Sequence, residues 1–258
     1  MAGCSTHPEG AFIMLKPTAI VTGGVRRLGG DISLFLLKNG FRVISIYNSS
    51  DDLVKENFIE RAKVISDDYK LIRCDLRFTS EIVNCFDGIF LKYPNTELLV
   101  NNAAIFEKKD FLEIDEEFFD KTISINLKAV FFCSQLAVKY MLRHETDFPK
   151  RIINISSIGA FENWSSFIPY SISKAGVVKF TEQLAKRFAP KILVNSIAPG
   201  IIMIDGDMNE NVNLTEIKKY PMKRFGKSDD ITALIGYLTE KNNFITGQTI
   251  KVDGGRTL

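Results

Sequence analysis

Histidine is nearly absent from this chain of 258 residues: there are two, His7 and His144. An imidazole metal site or a Ser–His–Asp triad would have to use one of them, and neither sits in a suggestive context, so no metal is expected. Cysteine is scarce too. Cys4, Cys74, Cys85 and Cys133 are scattered, with no C-x-x-C pair, which points to free thiols in a reducing cytoplasm. Neither sign of charge is in excess: 33 Lys and Arg face 31 Asp and Glu, for a formal charge of +2. Such a chain has no basic stripe, and nucleic acid is a poor partner for it. No apolar run approaches the ~20 residues that cross a bilayer. The opening stretch, Met1 to Leu15, lacks a basic region ahead of an apolar core, so no secretory signal is expected. What remains is the mix of a soluble globular protein, 45% apolar and 25% charged. Its length suits one α/β domain with a large core. Residues 1–16 read as an extension, and 17–258 as the domain.

Short β-branched runs alternate with longer helical stretches. The strands read as Thr18–Thr22, Phe41–Tyr47, Lys70–Cys74, Glu97–Val100, Arg151–Ile155, Ile192–Ile197 and Thr249–Val252. Between them the helical pattern covers Leu28–Asn39, Ser50–Ser66, Ser80–Leu91, Asp115–Arg143 (with a bend), Tyr170–Phe188 and Ser228–Leu238. Ser49 or Ser50 would cap the second helix, with Asp51 and Asp52 in its first turn. Strands separated by helices imply right-handed crossovers and a parallel sheet. Several strands are apolar throughout, as expected when both sheet faces are covered. The expected fold is therefore α/β, a single doubly wound Rossmann domain around a mostly parallel sheet of about seven strands. Gly200–Met222 lacks periodicity, and a loop of that length suggests a lid.

The first strand runs through Thr22-Gly23-Gly24-Val25-Arg26-Arg27-Leu28-Gly29-Gly30 into the first helix. Glycines there let the backbone approach a pyrophosphate, which the helix N-terminus would hold. The second strand ends Tyr47-Asn48-Ser49-Ser50, with no acid at its end. A carboxylate there would bind the ribose 2′-hydroxyl of NAD, so its absence, with Arg26 near, favours NADP(H). Asp51 and Asp52 argue mildly the other way.

Tyr170-Ser-Ile-Ser-Lys174 puts a phenol and an ammonium on one helical face. The ammonium would stabilise the phenolate, making Tyr170 a general acid for carbonyl reduction. Tyr237 and Lys241 have the same spacing. Only Tyr170 has Ser157 upstream at a strand end, so Tyr237 reads as structural.

From Thr18 to Leu258 the chain resembles the short-chain dehydrogenases/reductases. The matching motifs are Thr22-Gly23 with Gly29; Asp75-Leu76; Asn101-Asn102-Ala103-Ala104; Asn126; Ser157, Tyr170 and Lys174; and Asn195 to Pro199-Gly200. The resemblance implies that Tyr170 protonates the substrate oxygen, that Lys174 also holds the nicotinamide ribose, that Ser157 orients the carbonyl and that Asn126 anchors a proton-relay water. It places Thr22, Gly23, Arg26, Arg27, Leu28, Gly29, Asn48, Ser49, Ser50, Asp75, Leu76, Asn102, Ala103, Ala104, Pro199, Gly200 and Ile202 around the cofactor. It also implies a homotetramer.

Arg27 stands where the family usually has glycine, which resembles pteridine reductases, as do Phe188–Asn195 and Phe244–Arg256. Ser157 departs from that subgroup, which often has Asp there, and Ile204 stands where a Thr is usual. The expected activity is reduction of a dihydropterin by NADPH, with Arg27, Ser157 and Tyr170 on the substrate. The alternative is reduction of a 3-oxoacyl thioester or another small carbonyl compound. A cofactor-binding regulator without catalysis is a third reading, which the intact Asn126, Ser157, Tyr170 and Lys174 disfavour.

Overall fold

The computed structural model describes residues 16–144, 149–204 and 214–258. Seven parallel strands form one sheet in the order β3-β2-β1-β4-β5-β6-β9. They are β1 (Thr18–Thr22), β2 (Arg42–Tyr47), β3 (Tyr69–Arg73), β4 (Thr96–Asn101), β5 (Lys150–Ile155), β6 (Ile192–Pro199) and β9 (Thr249–Val252). Ile20 pairs with Ile44 on one side and Leu99 on the other. Successive side chains feed opposite faces of the sheet. Ile20, Ile44, Leu99, Ile152 and Val194 pack beneath α3 (Thr79–Lys92) and α5 (Ala129–Met141). Ala19, Val21, Val43, Val100 and Ile153 pack beneath α1 (Arg27–Lys38), α2 (Asp52–Lys63) and α7 (Ser228–Gly236). All five residues of β1 and all eight of β6 are buried, which is why these strands read as apolar runs rather than alternations. Strand order reverses between β1 and β4, and the crevice this creates at the carboxyl ends of the strands is where doubly wound sheets bind ligands.

The anticipated helix over 115–143 is broken in two. α4 (Glu116–Ile123) passes through a π-helical segment, Ser124–Lys128, into α5. The wider turn lies against α6 (Ile168–Phe188), where a Cβ on Gly176 would come within 2.8 Å of Leu127. α2 is capped by Asp51, whose carboxylate accepts the Val54 N–H, and not by Ser49 or Ser50. The last helix ends at Gly236 and continues as a second π-helical segment, Tyr237–Lys241. The stretch expected to be featureless contains β7 (Ile202–Met203), paired in parallel with β8 (Gly226–Lys227), and a 3₁₀ helix over Leu214–Lys219. The middle of the anticipated lid, 205–213, lies outside the described residues, as do Cys4, His7 and almost all of the extension. Among the described residues no helix is long and apolar enough to cross a membrane, and no group of His, Cys, Asp and Glu could hold a metal ion.

Candidate active site

The turn after β1 is braced from β4. Thr22 Oγ1 accepts the backbone N–H groups of Asn102 (3.0 Å) and Ala103 (3.1 Å). Asn102 Nδ2 donates to the carbonyls of Thr22 (3.0 Å) and Gly23 (3.3 Å). Gly23 takes φ +63°, and a Cβ on Gly29 would lie 2.1 Å from the Gly23 carbonyl oxygen. Only glycine fits at Gly29. The result is a bare backbone cradle at the N-terminus of α1, which fits a pyrophosphate. Arg26 is the N-cap residue, and both Arg26 and Arg27 are exposed beside partly buried Leu28. Arg27 itself takes φ +52°. An arginine held there carries strain of order 1–3 kcal/mol that a glycine would not.

Beyond β2, Asn48, Ser49 and Ser50 lead into α2. The acids that follow are already engaged. Asp51 caps the helix, and Asp52 pairs with Lys55 at 2.5 Å. At the end of β3, Arg77 grips the Asp75 carboxylate with Nε at 3.0 Å and Nη2 at 2.6 Å, and holds its carboxyl below the usual range. The Asn48 side chain, at the end of β2, also helps to lower the Asp75 carboxyl. Leu76 is buried beside it. Ala104 is exposed one residue beyond Ala103.

Ser157, Tyr170 and Lys174 come together where β5 meets α6. Pro169 sits in the first turn of α6, where its missing N–H costs nothing. One turn on, Lys174 is 2% exposed, donates from Nζ to the Ile155 carbonyl at 2.8 Å and lies 5.8 Å from the Tyr170 ring centre. Ser157 caps the short 3₁₀ turn Ile158–Ala160, accepting the Gly159 N–H at 3.0 Å, and its hydroxyl favours the phenolate of neighbouring Tyr170. Burial pushes the Tyr170 phenol up to about 12, partly opposed by the Ser157 hydroxyl. Burial pushes Lys174 down to about 8. Asn126 is fully buried in the first π-helical segment; its Oδ1 accepts the Ile105 N–H (2.9 Å) and its Nδ2 donates to the Ile105 carbonyl (3.0 Å). It thereby fixes the chain that leaves Ala104. Tyr237 is 46% exposed in the second π-helical segment, with Lys241 also at the surface.

At the end of β6, the Gly200 N–H bonds the Val252 carbonyl at 3.0 Å, directly after buried Pro199. Ile202 pairs with Gly226 in β7, and partly buried Ile204 follows.

Three features escaped the sequence reading. A buried chain crosses the sheet under the site: Asn101 Nδ2 donates to Ser134 Oγ and Asn154 Oδ1, and Asn154 Nδ2 to Thr181 Oγ1, each at 2.9 Å. Phe106, Trp164 and Phe167 cluster around Tyr170. The recurrence of Phe161, Trp164, Phe167 and Tyr170 every third residue was a signal that could have found it. Lastly, Glu162 pairs with Arg256 near the C-terminus at 2.7 Å.

Comparison with known proteins agrees with this geometry. The family model described as short chain dehydrogenase matches residues 17–217. The chain is 32% identical over 246 residues to the 3-oxoacyl-[acyl-carrier-protein] reductase FabG of Staphylococcus epidermidis, covering 93% of this chain and 99% of that one. Identity to the reductase of the same name from Rickettsia felis is 34%, over 92% and 95% of the two chains. Among solved structures, the 3-oxoacyl-[acyl-carrier protein] reductase of Brucella melitensis in complex with NAD superposes with a TM-score of 0.85 at 32% identity, covering 94% and 97%.

Proposed function

Since the chain belongs to the short-chain dehydrogenase family and is an oxidoreductase of that type, we propose that it reduces the ketone of a 3-oxoacyl thioester, using NADPH. The observation that carries the reaction type is the meeting of Ser157, Tyr170 and buried Lys174 at the end of β5. The names of the relatives support the thioester. They favour the alternative drawn from the sequence over dihydropterin reduction.

The residues fit a nicotinamide cofactor. The Gly23–Gly29 cradle would take its pyrophosphate, Arg26 and Arg27 would flank it, and Asp75 with Leu76 would border the adenine. When bound, the cofactor supplies the hydride. The chain supplies the rest. Tyr170 Oη gives its proton to the ketone oxygen, and Ser157 Oγ hydrogen-bonds that oxygen. The phenolate left behind is stabilised by Ser157 and by the Lys174 ammonium, the major form below about pH 8. Asn126 holds the segment lining the site through Ile105. Residues this intact argue against a regulator that has lost catalysis. NADPH preference rests on Arg26 and on the engagement of Asp51 and Asp52 within α2. The scattered thiols suit a reducing cytoplasm. A homotetramer is the assembly to test, with partly exposed Phe119 and Phe131 as apolar surface for contact.

Dihydropterin reduction is kept as the second reading for one reason. Arg27 keeps a strained φ of +52° where glycine would rest without cost, which asks for a task. NADPH oxidation with acetoacetyl thioester and with dihydrobiopterin separates the two. Thioester turnover supports the first; turnover of the pterin alone replaces it with the second. Arg26→Ala should weaken NADPH affinity about tenfold, the size of one charge-assisted phosphate contact, while NADH affinity stays the same. An equal loss for both cofactors removes Arg26 from the 2′-phosphate.

A further inference from the structure

Three aromatic rings meet the Tyr170 phenol proposed as the acid, and the four rings take two orientations. Phe106 stacks on Phe167, with centres 4.2 Å apart and planes within 5°. Trp164 lies parallel to Tyr170, also within 5°, at 6.3 Å. The two sets cross steeply: Phe106 meets Tyr170 at 4.7 Å and 68°, and Trp164 at 6.0 Å and 66°. One face of Phe106 is covered by Phe167, yet Phe106 remains 56% exposed, so its open area is on the other face and rim. Gly159 keeps Trp164 close to the site. A Cβ there would come 2.8 Å from Trp164 Cζ3 and 3.3 Å from Tyr170 Cε1.

Trp164 is also tied in place. Its indole N–H donates to Glu162 Oε2 at 2.7 Å. The other carboxylate oxygen of Glu162 pairs with Arg256 at 2.7 Å, and the Arg256 guanidinium reaches Glu216 of the 3₁₀ helix over Leu214–Lys219 at 3.9 Å. Glu162 and Arg256 are 17% and 22% exposed, so solvent screens their pairing only in part. An aromatic wall already held in position loses little entropy when a substrate docks.

We propose that Trp164, held by Glu162 and Arg256 and flanked by Phe106, determines substrate specificity. In this assignment the wall receives the substituent beside the ketone and selects a flat aryl or conjugated group over a saturated chain. Ring faces and edges attract flat partners beyond the area they bury, whereas an alkyl chain gains from area alone. The inference rests on the carbonyl-reductase reading and names the substrate class within it: a 3-oxoacyl thioester with an aryl group on its ketone carbon. Trp164 is the specificity residue, and Glu162 and Arg256 are positioning residues.

The test compares benzoylacetyl, acetoacetyl and 3-oxooctanoyl thioesters on the full chain. Wild type should favour the benzoyl compound by about tenfold in kcat/KM. Trp164→Leu should erase that preference. Arg256→Ala should reduce it through a higher KM for the aryl substrate with kcat held, and Arg256→Lys should restore part of it. Trp164 is the only tryptophan of the chain, so its fluorescence reports docking without turnover. Benzoylacetate should quench it saturably, and acetoacetate much less. Equal preference for aryl and alkyl thioesters overturns the inference and leaves the reductase reading standing. If no thioester is reduced, the reductase reading falls, and the quenching decides the inference alone: no difference between the two acids overturns it.

Discussion

Tyr170–Lys174 and Tyr237–Lys241 share a spacing and little else. The first pair lies in a regular helix, with the lysine 2% exposed and bonded to the Ile155 carbonyl. The second lies in a π-helical segment at the end of α7, with the tyrosine 46% exposed. The surroundings make the difference. Ser157 at the end of β5 reaches the first phenol, and burial shifts both members of that pair, the phenol up and the ammonium down. The two π-helical segments contrast in the same way. Ser124–Lys128 carries fully buried Asn126, bonded at both ends of its amide, whereas Tyr237–Lys241 turns its tyrosine to solvent. Neither the side-chain spacing nor the irregular backbone makes a site. Each becomes useful where it meets other elements in a dry place.

The contrast is sharpest for turnover. Tyr170→Phe removes the proton donor but keeps the ring that packs with Phe106 and Trp164. Reduction should drop by about 10²–10⁴-fold, the usual worth of general acid catalysis, while cofactor affinity holds. Tyr237→Phe should stay within about twofold of wild type, since surface changes away from special features do little. Comparable losses in the two variants would break the comparison.

A smaller effect is expected in the pH profile. The reaction needs Tyr170 protonated and Lys174 charged. Tyr170, at about 12, remains protonated through the working range. Lys174, at about 8, loses its proton well before an ordinary lysine does. kcat/KM for reduction should therefore be level below about pH 8 and fall roughly tenfold per unit above it. Tyr237→Phe should show the same profile. A level rate up to pH 10 means that the Lys174 ammonium is not required.

The parts of this site legible in the sequence are those that backbone sterics or local chemistry dictate. Gly29 had to be glycine because of the Gly23 carbonyl six residues before it in the same turn. Tyr170 and Lys174 had to share a helical face. The parts that were not legible depend on partners far along the chain. Asn154 finds Asn101 and Thr181 only once β4, β5 and α6 are assembled. Trp164 owes its orientation to a glutamate that is itself held by a residue near the C-terminus. The π-helical turn at Asn126 looks like ordinary helix periodicity until α6 packs against it at Gly176. The cap of α2 was expected at Ser49 or Ser50, and only the geometry shows that Asp51 takes it. The substrate subgroup was the least legible part: Arg27, Phe188–Asn195 and Phe244–Arg256 point to pteridine reductases, whereas the relatives found by comparison carry the name of 3-oxoacyl reductases.

The smallest effect concerns stability, and it divides the two lysines most cleanly. Folding carries the Lys174 ammonium out of water, and its pKa falls from 10.5 to about 8. At pH 7 the unfolded and the folded chain both hold that proton, and the folded chain bears a penalty of about 3 kcal/mol for doing so. Lys174→Met removes the penalty but leaves the Ile155 carbonyl without its donor, at a cost of about 1–3 kcal/mol. The net should be a gain of about 1 kcal/mol at pH 7, read as a higher Tm in the cofactor-free protein, together with lost turnover. The sign of the pH dependence follows. Between about pH 8 and 10.5 the unfolded chain holds a proton that the folded chain has released, so wild-type stability rises across that window relative to the variant. The advantage of Lys174→Met should shrink above pH 8, reverse near pH 9 and leave the wild type the more stable by about 1–2 kcal/mol at pH 10, because the unpaired carbonyl remains. Lys241→Met, at an exposed position, should change stability by no more than about 0.5 kcal/mol at any of these values. A Lys174→Met difference that stays constant with pH would show that burial of the ammonium is not what sets this lysine apart from its exposed counterpart.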